Sequence, residues 1–501
     1  MPNPLFDALL GPHLDRERVC ITTPDGQNLS FRDVITQTAR IANSLCALGL
    51  GKEDVLAVQV EKSPTALCIY LACLQTGIVF LPLNTGYTAA ELRYFITDSA
   101  AKLLICDKDK YACLVDNLPD IAMLTLNDDG TGTLADHAQK QPGHFSTVAC
   151  CADDLAALLY TSGTTGRSKG AMLTQGNLLS NAQTLVDLWQ FDHHDRLIHA
   201  LPIYHTHGLF VAMNVALISG AEVYLMPAFD AGLVIEQMPK ATALMGVPTF
   251  YTRLLDSPAF NRSVTENMRL FVSGSAPLLQ DTHEKFEAIS GHRILERYGM
   301  TETGMSISNP YSGARRAGTV GLALPDVDIR IVDESKGTAV VRGEIGMLEV
   351  RGENVFQGYL NMPEKTAEAF RADGFFITGD LARQDDQGYV HIVGREKDLI
   401  ISGGLNIYPK EIEQVLDAQF GVLESAVIGV PHPDFGETPV GILVARPRAK
   451  LDIVSIQTGL AGQLARFKQP RQLIVVDILP RNTMGKVQKN LLRKQYTNLF
   501  A

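Results

Sequence analysis

The sequence predicts an α/β protein. A large N-terminal domain of mostly parallel sheets covered by helices precedes a smaller α+β domain. Three observations carry this. Short apolar strand-like runs alternate with helical segments through most of the chain, a pattern that builds parallel sheets flanked by helices. After about residue 340 the texture turns to antiparallel-looking runs punctuated by glycine. The last 100 or so residues have an alternation of their own.

The elements follow in order. "RDVITQTARIANSLCALGL" has apolar residues at helical spacing and ends near glycine. "EDVLAVQV" predicts a strand, "TALCIYLACLQTG" a helix, and "IVFLPL" and "KLLIC" two more strands. The middle repeats the pattern with "AALLYTS", "AEVYLM", "TALMGV" and "MRLFVSGSAP" as short apolar strands. "GEIGMLEVRGENVFQGYL" and "DDQGYVHIVGR" predict antiparallel strands with glycine turns. "ESAVIGV", "PVGILVAR", "SIQTGLAGQLARF" and "QLIVVD" make up the last domain. The expected boundary falls near Arg395, between 1–394 and 401–501.

Composition excludes several classes. The 501 residues are 46% apolar and 20% charged, ordinary for a globular chain of two to four domains. A net charge of -11 argues against binding nucleic acid through its phosphates. Eight cysteines without a CxxC pair give neither a disulfide framework nor a thiolate zinc site. They suit a reducing, cytoplasmic setting. The N-terminus lacks the pattern of a secretory or organellar presequence. "GLFVAMNVALISG", the longest mostly apolar stretch, falls short of the roughly 18 residues of a membrane span and predicts a buried helix.

"YTSGTTGRSKG", Tyr160 to Gly170, is built for phosphate. Its glycines let the backbone approach an anion, and successive N–H groups form a nest. Thr161, Ser162, Thr164 and Thr165 add hydroxyl donors, and Lys169 adds charge. It is not a Walker A loop: counting from Gly163, Ser168 stands where glycine belongs, and Gly170 follows the lysine where Ser or Thr belongs.

Four further stretches stand in order behind this loop: "ERYGMTET" (296–303), "GFFITGD" ending at Asp380, "GREKDLIISGGLNIYPKEIE" (394–413) and "LPRNTMGKVQK" (479–489). Together the five resemble the adenylate-forming superfamily of acyl-CoA synthetases, peptide-synthetase adenylation domains and luciferases. The resemblance implies a two-step reaction. A carboxylate and Mg-ATP give an acyl-adenylate and pyrophosphate, and coenzyme A then displaces AMP. It implies that the loop, with Gly163, Gly166 and Lys169, grips the β- and γ-phosphates. Lys486 would be the catalytic lysine bridging carboxylate and α-phosphate. Thr301 would contact that phosphate, and Glu302, with Thr164, would hold Mg²⁺. Gly274, Ser275 and Ala276 would line the adenine, Glu296, Arg297, Tyr298 and Gly299 would belong to the ATP site, and Asp380 with Arg395 would hold the ribose. It implies a large N-terminal domain with a small barrel-like part and a small mobile C-terminal domain, with 395–400 as the hinge and Lys397 as its pivot, and Gly403 and Gly404 would reach the thiol tunnel. The reaction brings two anions together, so positive charge and in-line positioning carry most of the work.

The acid is read from local segments. In "LPIYHTHGLF", His205 and His207 are two apart and would share a face in a strand. No third ligand cluster stands nearby to make a metal site. The resemblance places His205 beside the acyl group. Arg253 in "GVPTFYTRLL" and Arg316 in "RRAGTVG" suit a second carboxylate, because a buried guanidinium pairs with one through two donors. Arg315 competes with Arg316. These stretches are most similar to malonyl-CoA synthetases. They imply an acid site of Thr206, His207, Arg253, Ser273, Met305 and Arg316, with Thr206 and Met305 setting its size, and methylmalonate as a further substrate. The rivals are a synthetase for a short fatty or aromatic monocarboxylate, an adenylation enzyme loading a separate carrier protein, a P-loop NTPase and a noncatalytic nucleotide binder. The failed Walker spacing opposes the third, and the intact Glu302, Asp380 and Lys486 oppose the fourth.

Overall fold

A computed structural model describes residues 2–14, 16–161, 168–333, 337–403, 405–461, 463–482 and 485–500. They form two compact units. The first comprises Met1–Asp328 and Val350–Phe376, the second Ile329–Glu349 and Ile377–Ala501.

The first unit holds two large sheets. One runs in the order Gly358–Tyr359, Lys169–Thr174, Leu155–Thr161, Val79–Pro82, Val55–Gln59, Leu103–Cys106, Ala122–Thr125. Its five strands from Leu155–Thr161 onward are parallel, and the first two run antiparallel. The strands Val79–Pro82 and Leu103–Cys106 are buried at every position, as expected where helices cover both faces. Helix Pro64–Thr76 is apolar nearly all round and buried from Ala66 to Thr76, so it packs inside. The helix Phe31–Ala47 packs on it and starts at a capping box between Ser30 and Asp33.

The second sheet has nine strands. Its parallel centre is Leu295–Met300, Leu270–Ser273, Ala243–Gly246, Arg196–His199, Glu222–Leu225 and Val19–Thr22, with short antiparallel strands at the edges. The register sets Met245 opposite His199, Gly246 opposite Ser273, and Ser273 opposite Glu296. The carboxyl ends of neighbouring strands therefore release their loops side by side, where open α/β sheets bind ligands. "GLFVAMNVALISG" is buried as expected, but it opens as a π-helix over His207–Met213 before the α-helix Asn214–Ser219.

The second unit has a five-stranded sheet in the order Thr338–Ala339, Val327–Asp333, Gly346–Gly352, Phe376–Gln384, Val390–Arg395. A further sheet pairs Val422–His432 with Gly436–Ala445 antiparallel and adds Gln472–Val476 in parallel. Helix Pro409–Asp417 covers it through Ile412 and Leu416.

Candidate active site

Two loops leave the nine-stranded sheet here, 200–206 after His199 and 274–279 after Ser273, beside the strand Leu295–Met300 that carries Arg297. They bring buried polar atoms into one region. Nε and Nη2 of Arg297, Nε2 of His205 and His207, Oγ1 of Thr206 and Oγ of Ser273 have no hydrogen-bond partner among the described residues. His207 Nδ1 is 3.3 Å from the Ser275 hydroxyl. Native interiors pair such groups, so six of them, from two strands and the segment 205–207, outline a ligand site.

Arg297 dominates its electrostatics. It is 4% exposed. Burial lowers its pKa to about 9, so it remains a cation at neutral pH. Burial first, then Arg297, pushes His207 well down, and burial drops His205 to about 4. Both imidazoles are therefore neutral. A buried cation beside neutral donors is a receptor for an anion.

Thr301 and Glu302 sit on the tight turn joining Leu295–Met300 to Gly304–Ser308. Asn181 pairs with the Met305 backbone in both directions, accepting at 2.9 Å and donating at 2.7 Å. Asn354 donates to Thr303 O at 2.6 Å. A β-carbon at Gly299 would lie 2.1 Å from Gly304 O, so the hairpin closes only with glycine there. Met305 is buried behind the turn. A cavity of about 10 Å³ bounded by Thr206, Thr301, Gly304, Asn354, Leu178 and Phe210 has room for about one water.

Glu302 is buried, and its Oε1 accepts from Tyr359 Oη at 3.1 Å. The Lys169 ammonium stands 4.0 Å over the same tyrosine ring, so Tyr359 links the phosphate loop to Glu302. Both ends of that loop are held: Thr161 pairs with Lys169 across the antiparallel strands, and Tyr94 Oη donates to Ser168 O at 2.7 Å. Ser162, Gly163, Thr164, Thr165 and Gly166 lie outside the described residues. No cluster of three His, Cys, Asp or Glu side chains stands among the described residues. One hard carboxylate near a phosphate loop still fits Mg²⁺, which takes one or two carboxylates and substrate phosphates. Of the other expected nucleotide residues, Gly274 is buried, Ala276 and Tyr298 are half-buried, and Glu296 lies 3.6 Å from His283 Nδ1.

In the second unit Asp380 faces Arg395 across two antiparallel strands, with Arg395 Nε 2.7 Å from Oδ1 and Nη2 3.3 Å from Oδ2. Lys486 is exposed. Desolvation by the surrounding protein, then the charge of Arg395, nonetheless brings its pKa down to about 8. Burial and Arg395 lower Lys397 likewise. Beside it Asp398 pairs with Arg493. Gly403 has φ +56° and donates to Phe435 O at 2.9 Å. Gly404 lies outside the described residues.

The two arginines expected for the second carboxylate sit differently. Helix Pro248–Leu255 buries Phe250, Tyr251 and Leu254, which turns Arg253 to the exposed side. Arg316 is half-buried, and its backbone N–H is held by Asn309 Oδ1 at 3.0 Å. Arg315 is occupied by the carbonyls of Arg293 and Tyr311. Sequence reasoning assigned Arg297 to the nucleotide and did not single out Asn181, Asn354 or Tyr359. No local motif marks these three, because their partners are 51 to 124 residues away.

The AMP-binding enzyme model matches residues 12–360 and its C-terminal domain model residues 411–486. The chain belongs to the AMP-binding enzyme family and is an AMP-forming acyl-CoA ligase, a class that uses ATP and coenzyme A. It is 53% identical to MatB from Rhodopseudomonas palustris, solved with ATP bound, with 100% of each chain covered and a TM-score of 0.98. It is 34% identical to the mitochondrial malonate–CoA ligase of Mus musculus, over 96% of this chain and 88% of that one. It is also 34% identical to a feruloyl-CoA synthase of an Amycolatopsis species, over 98% of each.

Proposed function

We propose that this enzyme ligates malonate to coenzyme A through a malonyl-adenylate, giving malonyl-CoA, AMP and pyrophosphate, with methylmalonate as a slower substrate. One observation carries the choice of acid: the buried Arg297 guanidinium, with two nitrogens unpartnered among the described residues. One malonate carboxylate attacks the α-phosphate, and the other would pair with Arg297. Leaving a charge buried and unpaired is costly, so a diacid suits this pocket better than a monoacid. The similarity to a malonate–CoA ligase supports the reading. Relatives at equal identity act on unlike acids, so overall identity does not choose among them. Arg297 thus takes the role first expected of Arg253 and Arg316.

The remaining roles follow the adenylate-forming pattern. Lys486 bridges the acid and the α-phosphate, Thr301 contacts that phosphate, and Glu302 holds Mg²⁺. Mg²⁺ would neutralise phosphate charge. Asp380 and Arg395 hold the ribose. Residues 395–400 serve as hinge between 1–394 and 401–501, with Lys397 as pivot. Eight unpaired cysteines favour a reducing, cytoplasmic setting, and no helix of the described residues is long and apolar enough to cross a membrane.

The test is pyrophosphate release with a panel of mono- and dicarboxylates, with and without coenzyme A. Malonate is expected to give the highest kcat/KM, methylmalonate less, and acetate and propionate far less. A monocarboxylate preferred over malonate would overturn the diacid reading.

A further inference from the structure

We infer that Lys62 is a positioning residue for the acid-binding loop, acting through His199 on the segment Leu201–Gly208. The inference rests on the reading that Thr206 and His207 face the acid. Lys62 follows the strand Val55–Gln59, far from the recognisable motifs. Its ammonium lies 2.7 Å from His199 Nδ1, 2.7 Å from His199 O and 2.9 Å from Leu201 O. The amine thus has three partners, none of them an anion, and burial lowers its pKa well below the usual lysine value.

His199 extends the chain of contacts. Its Nε2 is 2.7 Å from Gly208 O. Because Lys62 donates to Nδ1, the ring proton sits on Nε2 and is donated to Gly208. Burial first, then the Lys62 charge, drops the His199 pKa to about 3, so the imidazole stays neutral and keeps this tautomer.

The lysine and histidine together tie both ends of the loop. One end is held at His199 and Leu201, the other at Gly208, the first turn of the π-helix. The loop has little slack: a β-carbon at Gly208 would lie 2.0 Å from Pro202 O. Thr206 and His207 immediately precede Gly208, and His207 reaches Ser275. Moving Lys62 therefore moves the acid contacts before anything at the phosphate loop.

The test compares Lys62→Met, His199→Phe and the double variant with wild type, using full-length enzyme, malonate, ATP and coenzyme A. Each single variant is expected to raise the acid KM roughly 10-fold, the scale of losing a buried hydrogen bond. The ATP KM should stay within about twofold, and the double variant should be no worse than the poorer single one, because both act through one chain of contacts. An unchanged acid KM, acid and ATP KM rising together, or multiplicative losses in the double variant would each overturn the proposal. If Lys62→Met does not fold, His199→Gln, which keeps an acceptor for the ammonium and a donor for Gly208, must show a smaller acid-specific defect than His199→Phe. Equal defects in those two would overturn it. If wild type prefers another acid, the malonate reading fails by itself, and the same comparison with that acid still decides the role of Lys62.

Discussion

The Arg297 guanidinium lies so close over Gly274 that a β-carbon at position 274 would sit 2.2 Å from its Cζ. The glycine floor is what lets the cation occupy this place. Because the obstructed atoms are the end of a flexible side chain, Gly274→Ala should displace the guanidinium rather than unfold the sheet. The expected outcome is a malonate KM raised roughly 10-fold with a melting temperature close to wild type. Steady-state kinetics and a thermal melt check both.

Removing the cation itself should cut deeper. Arg297→Met is expected to lower kcat/KM for malonate by roughly 10²-fold or more, the scale of a lost buried charge pair. Propionate, without the second charge, should lose much less. Arg253→Ala and Arg316→Ala should have smaller effects on the malonate-to-propionate ratio, since Arg253 is exposed and Arg316 is half-buried. A ratio that responds to Arg253 or Arg316 and not to Arg297 would return the carboxylate to the residues first expected.

Lys486 gives a pH prediction. Its pKa is lowered to about 8, so the ammonium is present below that pH and is lost as pH rises through it. Adenylate formation, followed by pyrophosphate exchange, should decline above about pH 8, whereas consumption of preformed malonyl-adenylate by coenzyme A should not show this limb. Lys486→Ala should abolish the first half-reaction and spare the second. In Lys486→Arg any residual exchange should lose the alkaline limb, because a guanidinium stays charged to about pH 12.

The hinge is tested at Lys397, in the short 3₁₀ turn Glu396–Asp398. Proline there fixes φ and should favour one orientation. One half-reaction is expected to fail far more than the other when the two are assayed separately. Equal loss of both would mean general disruption.

Much of this molecule was readable along the chain. The apolar runs "KLLIC" and "TALMGV" became buried parallel strands, because a strand covered on both faces needs no polar alternation. The antiparallel strands after residue 340 likewise announced themselves through glycine turns. Arg253 could have been placed by periodicity, since Phe250, Tyr251 and Leu254 mark the buried side of its helix. Arg297 could not. Its motif looks like a nucleotide segment, and its setting depends on Gly274 and His207, which are 23 and 90 residues distant.

The sequence by itself determined the family and the order of the elements, because these rest on local patterns: periodicity, a glycine-rich anion loop and short motifs read within one strand or turn. Only the tertiary structure decided which cation is left buried without a partner among the described residues, which amides hold the turn at 301–305 and which lysine ties the loop after His199. Each of these depends on distance and desolvation between segments that meet only when the parallel strands align their carboxyl ends.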